Sequence, residues 1–92
     1  MTVAIRHEPD ARRFAADVGG KTAYITYREL DPRRLELDHT YVPQERRGGG
    51  IASQLTARAL EYARERGFRV VPSCPFVAAY IERHPEYRDL RA

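Results

Sequence analysis

Cysteine is scarce in this 92-residue chain: Cys74 stands alone. No internal disulfide can form, and a zinc site built on cysteines is excluded. A single cysteine agrees with a reducing compartment and leaves the thiol free for chemistry or for packing. Long apolar runs are missing as well. The most apolar stretch, residues 70–81, is broken by Pro72 and Pro75 and carries Ser73, so it is too short and too interrupted to span a bilayer. From Met1 to Glu8 there is neither the basic start nor the apolar core of a secretory signal, which makes a cytoplasmic location the default expectation. Repeats, linkers and low-complexity segments are absent too. Two cores cannot be built from so few residues, and one domain spanning residues 1–92 is expected. Lysine is nearly missing: Lys21 is the exception among 16 basic residues.

What remains is the composition of a folded soluble protein, 42% hydrophobic and 32% charged. Net charge is +3 and the pI is near 9.4, which raises nucleic-acid binding as one function class. Acidic residues such as Glu29, Asp31, Glu36, Asp38 and Glu45 interrupt the basic ones, so a single-sign face is not expected. Residues 12–18 and 21–30 read as a β-hairpin, because Gly19-Gly20 suits a two-residue turn in which both central residues need positive φ. A short leading strand around residues 3–7 is possible. The arginine-bearing strand 12–18 is expected to form a solvent-facing sheet edge. After the Asp31-Pro32 turn, Leu35, Leu37, His39 and Tyr41 alternate with polar residues and predict a third strand with these four on one face. Pro43 ends it. From Ile51 the spacing turns helical, with Ile51, Leu55, Ala59 and Tyr62 on one stripe and Gly67 as the C-terminal cap. Residues 68–71 predict another strand, and Pro75 the first position of a second helix that Pro85 stops.

A strand that runs into a glycine-rich turn and then a helix is a general device for holding pyrophosphate, since the first helical N–H groups are unpaired and partly positive. A P-loop would need Gly-Lys-Ser/Thr, but Gly50 is followed by Ile51 and Ala52. A dinucleotide fingerprint fails on glycine spacing. A glycine-rich turn that merely joins strand to helix is the plain alternative. Beside Gly48-Gly49-Gly50, the pair Arg46-Arg47 offers guanidinium groups suited to phosphate.

The order Arg47-x-x-Gly50-x-Ala52 resembles the acetyl-CoA loop of the GNAT acetyltransferase superfamily. Residues 35–87, including Pro72-Ser73-Cys74 and the Tyr80-Ile81-Glu82-Arg83-His84-Pro85 ending, resemble its short branch of small N-acetyltransferase-domain proteins. That resemblance implies a truncated GNAT fold of α/β class, a mostly antiparallel sheet of about four to five strands with two helices. It implies that the third strand splays from the strand after the first helix and that the pantetheine arm lies in the gap. Backbone groups of Thr40, Tyr41 and Val42 would pair with the arm. Arg46, Arg47, Gly48, Gly49, Gly50, Ile51 and Ala52 would hold the pyrophosphate of acetyl-CoA. The implied activity is acetyl transfer to an amine, borne by a small molecule or a protein lysine. No metal and no membrane is implied.

Three residues are candidates for that chemistry. Tyr80 falls one residue away from the tyrosine with which larger relatives protonate the leaving thiolate, and it equally suits a core aromatic. Cys74 stands where a strand ends and a helix begins, a setting that favours a thiolate and an acetyl-cysteine route; burial as a small apolar residue is the alternative. His39 would pair with Cys74 as a base, or be structural. A CoA-binding module without catalysis is the rival function, and oligomeric state is left open.

Overall fold

Alternation of apolar and polar side chains builds a five-stranded sheet. The computed structural model describes residues 2–92. Its strands are β1 (Arg6–Glu8), β2 (Arg13–Val18), β3 (Lys21–Asp31), β4 (Arg34–Tyr41) and β5 (Arg69–Pro72), adjacent in space in the same order. The first four are antiparallel. β5 returns parallel to β4 after the crossover helix α1 (Ile51–Arg66), and α2 (Pro75–Arg83) and a 3-10 turn at Pro85–Leu90 complete the chain. The α/β class, the mostly antiparallel sheet and the two α-helices are as expected. Among the described residues no helix is long and apolar enough to cross a membrane.

Gly19 and Gly20 have φ of +59° and +81°, so the tight turn between β2 and β3 holds the conformation that only glycine adopts cheaply. One expectation fails at the other side of that hairpin. β2 is not an edge strand, because three residues of β1 pair along it, Arg6 with Ala15 and Glu8 with Arg13. The leading strand lies a few residues later than anticipated.

The larger correction concerns β4. Leu37 pairs with Tyr27 and His39 with Thr26, leaving Asp38 as an extra residue. Such a bulge places two successive side chains on one side and resets the alternation. Leu35 and Leu37 point to the core. Beyond the bulge it is Thr40, opposite Ile25, that faces the helices, while His39 and Tyr41 share the opposite face with Thr26 and Tyr24. Their rings confirm it: Tyr24 is 6.1 Å from His39 and 5.4 Å from Tyr41, centroid to centroid. Strict alternation through Tyr41 is therefore overturned.

The core lies between the sheet and the helices, where Phe14, Ile25, Leu35 and Leu37 meet Leu55, Leu60, Val77 and Ile81 in one cluster. α1 ends as anticipated at Gly67, φ +76°, whose N–H bonds to the carbonyls of Ala63 and Arg64. The buried hydroxyl of Thr56 is satisfied by donating to the Ala52 carbonyl at 2.8 Å. Pro75 opens α2. The tail is held by Tyr87, whose hydroxyl donates to Glu61 at 2.7 Å, and by a bond from Ala92 N–H to the Val70 carbonyl at 2.8 Å.

Candidate functional site

β4 and β5 pair only from Arg34↔Arg69 to Leu37↔Pro72. One further bond, from Cys74 N–H to the Leu37 carbonyl at 3.1 Å, closes the fork. β4 runs on to Tyr41. The other chain turns into α2, because Pro72 and Pro75 lack the N–H groups a continuing ladder needs. The two strands part, and a cleft of about 500 Å³ opens, lined by Thr40, Val42, Arg46, Arg47, Gly48, Gly50, Ile51, Ala52, Ser53 and Phe76.

One end of this cleft is the start of α1. The first bond of that helix runs from Gln54 N–H to the Gly50 carbonyl, at 3.0 Å, so the N–H groups of Ile51, Ala52 and Ser53 precede it. The N-cap is Gly50, φ +81°, with no side chain to cap them. A 16-residue helix thus presents its positive end and its free donors to the cleft. Two arginines flank them. Arg47 is anchored by Nε donating to the Val42 carbonyl at 3.1 Å. The Arg46 guanidinium lies against Gly19, and neighbouring Glu45 pairs with Lys21 at 3.1 Å, which ties the loop to the hairpin tip. These residues fit an anionic pyrophosphate.

The other end of the cleft is Thr40, whose hydroxyl lies 3.7 Å from Cys74 Sγ. Cys74 is buried and is the N-cap of α2. The structure brings Cys74 to Thr40 and not to His39, which the bulge turns to the far face. Tyr41 is turned there also, so only its backbone borders the splay. Gly49 is the one loop glycine outside the cleft lining. Tyr80 sits a turn beyond Phe76, stacked on His84 at 3.8 Å, with His84 Nδ1–H donating to its carbonyl at 2.8 Å. Burial, and then the charge of Glu86, raise the Tyr80 hydroxyl above its ordinary 10.0, so it stays protonated. Sequence reasoning missed Ser53 and Phe76; Pro75 placed Phe76 in the first turn of α2, but its place in the cleft lining is a property of the tertiary structure. Among the described residues no three His, Cys, Asp or Glu side chains gather as a metal site would require.

The chain matches a known family model, that of the GCN5-related N-acetyltransferases, over residues 13–90. The chain belongs to that family. Among the chain's relatives, the protein NATD1 of Mus musculus is 28% identical over 85 residues, covering 90% of this chain and 77% of its own. NATD1 of Danio rerio is 25% identical over 89 residues, covering 92% and 81%. The NMR solution structure of a GCN5-like candidate N-acetyltransferase from Staphylococcus aureus superposes with a TM-score of 0.78 at 29% identity, over 98% of this chain and 88% of that one. The GCN5-related fold is therefore present.

Proposed function

We propose that the chain is an N-acetyltransferase that draws its acetyl group from acetyl-CoA held in the β4–β5 cleft. One observation carries this reading: a single cleft runs from the uncapped N-terminus of α1 to Thr40, and Cys74 lies just behind Thr40, outside the cleft lining. Acetyl-CoA supplies an activated thioester. The amides of Gly48 to Ala52, with Arg46 and Arg47, bind the pyrophosphate, and the backbone of Thr40 to Val42 orients the pantetheine arm. Cys74 is placed to take the acetyl group before an amine does. The Thr40 hydroxyl is within reach to hold its sulfur, and Tyr80, kept protonated by burial, is a proton source on the same helix.

Two other readings carry less. A nucleic-acid role is opposed by the dispersal of arginines into ion pairs with carboxylates, among them Arg6, Arg13, Arg28, Arg34, Arg64 and Arg91. A CoA-binding module without turnover would show the same cleft. The deciding experiment is calorimetric titration with acetyl-CoA, followed by the intact mass of the mixture. Micromolar binding that weakens at least tenfold in Arg47→Glu is expected, with an acetyl increment that Cys74→Ala removes. Binding with neither acetyl-cysteine nor transfer to any amine would favour the module. No binding would sink the proposal.

A further inference from the structure

The turn between β2 and β3 has φ of +59° at Gly19 and +81° at Gly20, the pair of positive values for which Asn-Gly is the favoured sequence. After glycine, asparagine bears such a backbone at least cost, and it leaves the unfolded chain with less freedom to lose. Turn chemistry alone therefore does not call for glycine at the first position. The surroundings of Gly19 do. A Cβ there would stand 2.5 Å from Arg46 Nη2, 3.1 Å from Nε and 3.2 Å from Cζ, whereas a Cβ on Gly20 would meet nothing within 4 Å. The bare backbone of Gly19 is the seat on which the Arg46 guanidinium lies.

That seat matters because nothing else holds Arg46. Its guanidinium makes no hydrogen bond and no ion pair among the described residues, while Arg47 beside it is fixed to the Val42 carbonyl. Arg46 is exposed and lines the cleft, so its N–H donors are open to a ligand there. A long exposed side chain loses rotamer freedom when it engages a ligand, and a surface that restrains it beforehand lessens that loss. The second half of the tip acts on charge. Lys21 pairs with Glu45 at 3.1 Å and holds its carboxyl below the ordinary 4.5. One residue from Arg46, an unpaired carboxylate would compete for the guanidinium and repel an anionic ligand.

Building on the acetyl-CoA reading, we propose that the β2–β3 tip belongs to the cofactor site: Gly19 is a positioning residue that seats Arg46 toward the cofactor's phosphates, and Lys21 is a second one that keeps Glu45 away from them. Neither touches the cofactor itself. The turn thereby forgoes the more stable Asn-Gly sequence for the placement of an arginine on another element.

The test separates the turn from the seat. Gly19→Asn is expected to keep or raise the urea midpoint, since the atoms it displaces are the far end of a flexible side chain, and to weaken acetyl-CoA binding about fivefold in calorimetry. Gly20→Asn should leave the affinity unchanged. Arg46→Gln should bind about tenfold more weakly than the parent, and adding Gly19→Asn to it should cost nothing further. Lys21→Ala is expected to weaken binding about threefold, and Glu45→Gln in the same protein to restore it, an arm that decides the matter even where Gly19→Asn does not fold. Parental affinity in Gly19→Asn would overturn the proposal, as would a loss that persists without Arg46 or that Gly20→Asn shares. Full affinity in Lys21→Ala, or a deficit that Glu45→Gln leaves in place, would overturn it likewise. Failure of the parent protein to bind acetyl-CoA would instead remove the reading beneath it.

Discussion

Gly48 and Gly50 hold the left-handed backbone of the turn before α1 and Gly49 does not. Gly48 and Gly50 lie at φ of +87° and +81°, whereas Gly49 lies outside the positive range and a Cβ there would meet only the Arg46 carbonyl at 3.5 Å. A left-handed backbone costs an L-residue about 1–2 kcal/mol. Gly50→Ala is therefore expected to destabilise by about that amount. Gly49→Ala should be neutral or gain up to about 1 kcal/mol by restricting the unfolded chain. Urea denaturation compares the two, and equal losses would contradict the difference. A row of three glycines in a sequence does not reveal which two are needed, since φ depends on where the strand must end and the helix begin.

At the scale of the element, the Asp38 bulge governs the site. It bends β4 away from β5 and divides Thr40 from His39. Deleting Asp38 should restore an unbroken ladder with Thr40 still facing the helices. The variant is expected to keep a cooperative thermal transition while its acetyl-CoA affinity falls at least tenfold in calorimetry. Undiminished affinity would show that the prolines of β5 open the fork unaided. The prolines were legible in advance, as were α1 with its Gly67 cap and the primed hairpin turn, because each is a local signal of backbone conformation. The bulge was not. Leu-x-Leu-x-His-x-Tyr satisfies strict alternation by itself, and only pairing with β3 shows that one residue too many lies between Leu37 and His39.

Across the whole molecule, His7 joins the sheet to the crossover helix. Its ring stacks on Phe14 at 4.3 Å and meets Tyr62 edge-on at 4.7 Å. Its Nε2 lies 2.5 Å from the hydroxyl of Tyr27, whose pKa burial pushes up to about 12, so the tyrosine donates to a neutral imidazole. Arg58 lies over Phe14 at 5.1 Å and Arg66 over Tyr62 at 5.5 Å. Burial first, then these two arginines, lower the His7 pKa below its ordinary 6.5. The unfolded chain then binds the proton more readily, so the contribution of His7 is complete above about pH 6.5 and is lost as pH falls through the lower folded value. The urea midpoint should decline between pH 7 and 5, and His7→Gln should flatten that decline. A slope unchanged in the variant would exclude His7 as its source. The carboxylates of Glu8, Asp31, Glu45 and Asp89, held below their ordinary 4.5 or 3.8 by basic partners, give way only at more acid pH.

The sequence by itself determined the element order, the caps and turns, and the glycine turn at the start of α1, because these follow from periodicity, proline and glycine over short stretches of chain. It also determined that Cys74 would begin a helix. Only the tertiary structure decided which face each residue beyond Leu37 takes and that Cys74 meets Thr40. It likewise decided that β1 and not β2 forms the sheet edge. Those choices depend on register between strands distant in the chain, and a shift of one residue there exchanges the buried face for the exposed one.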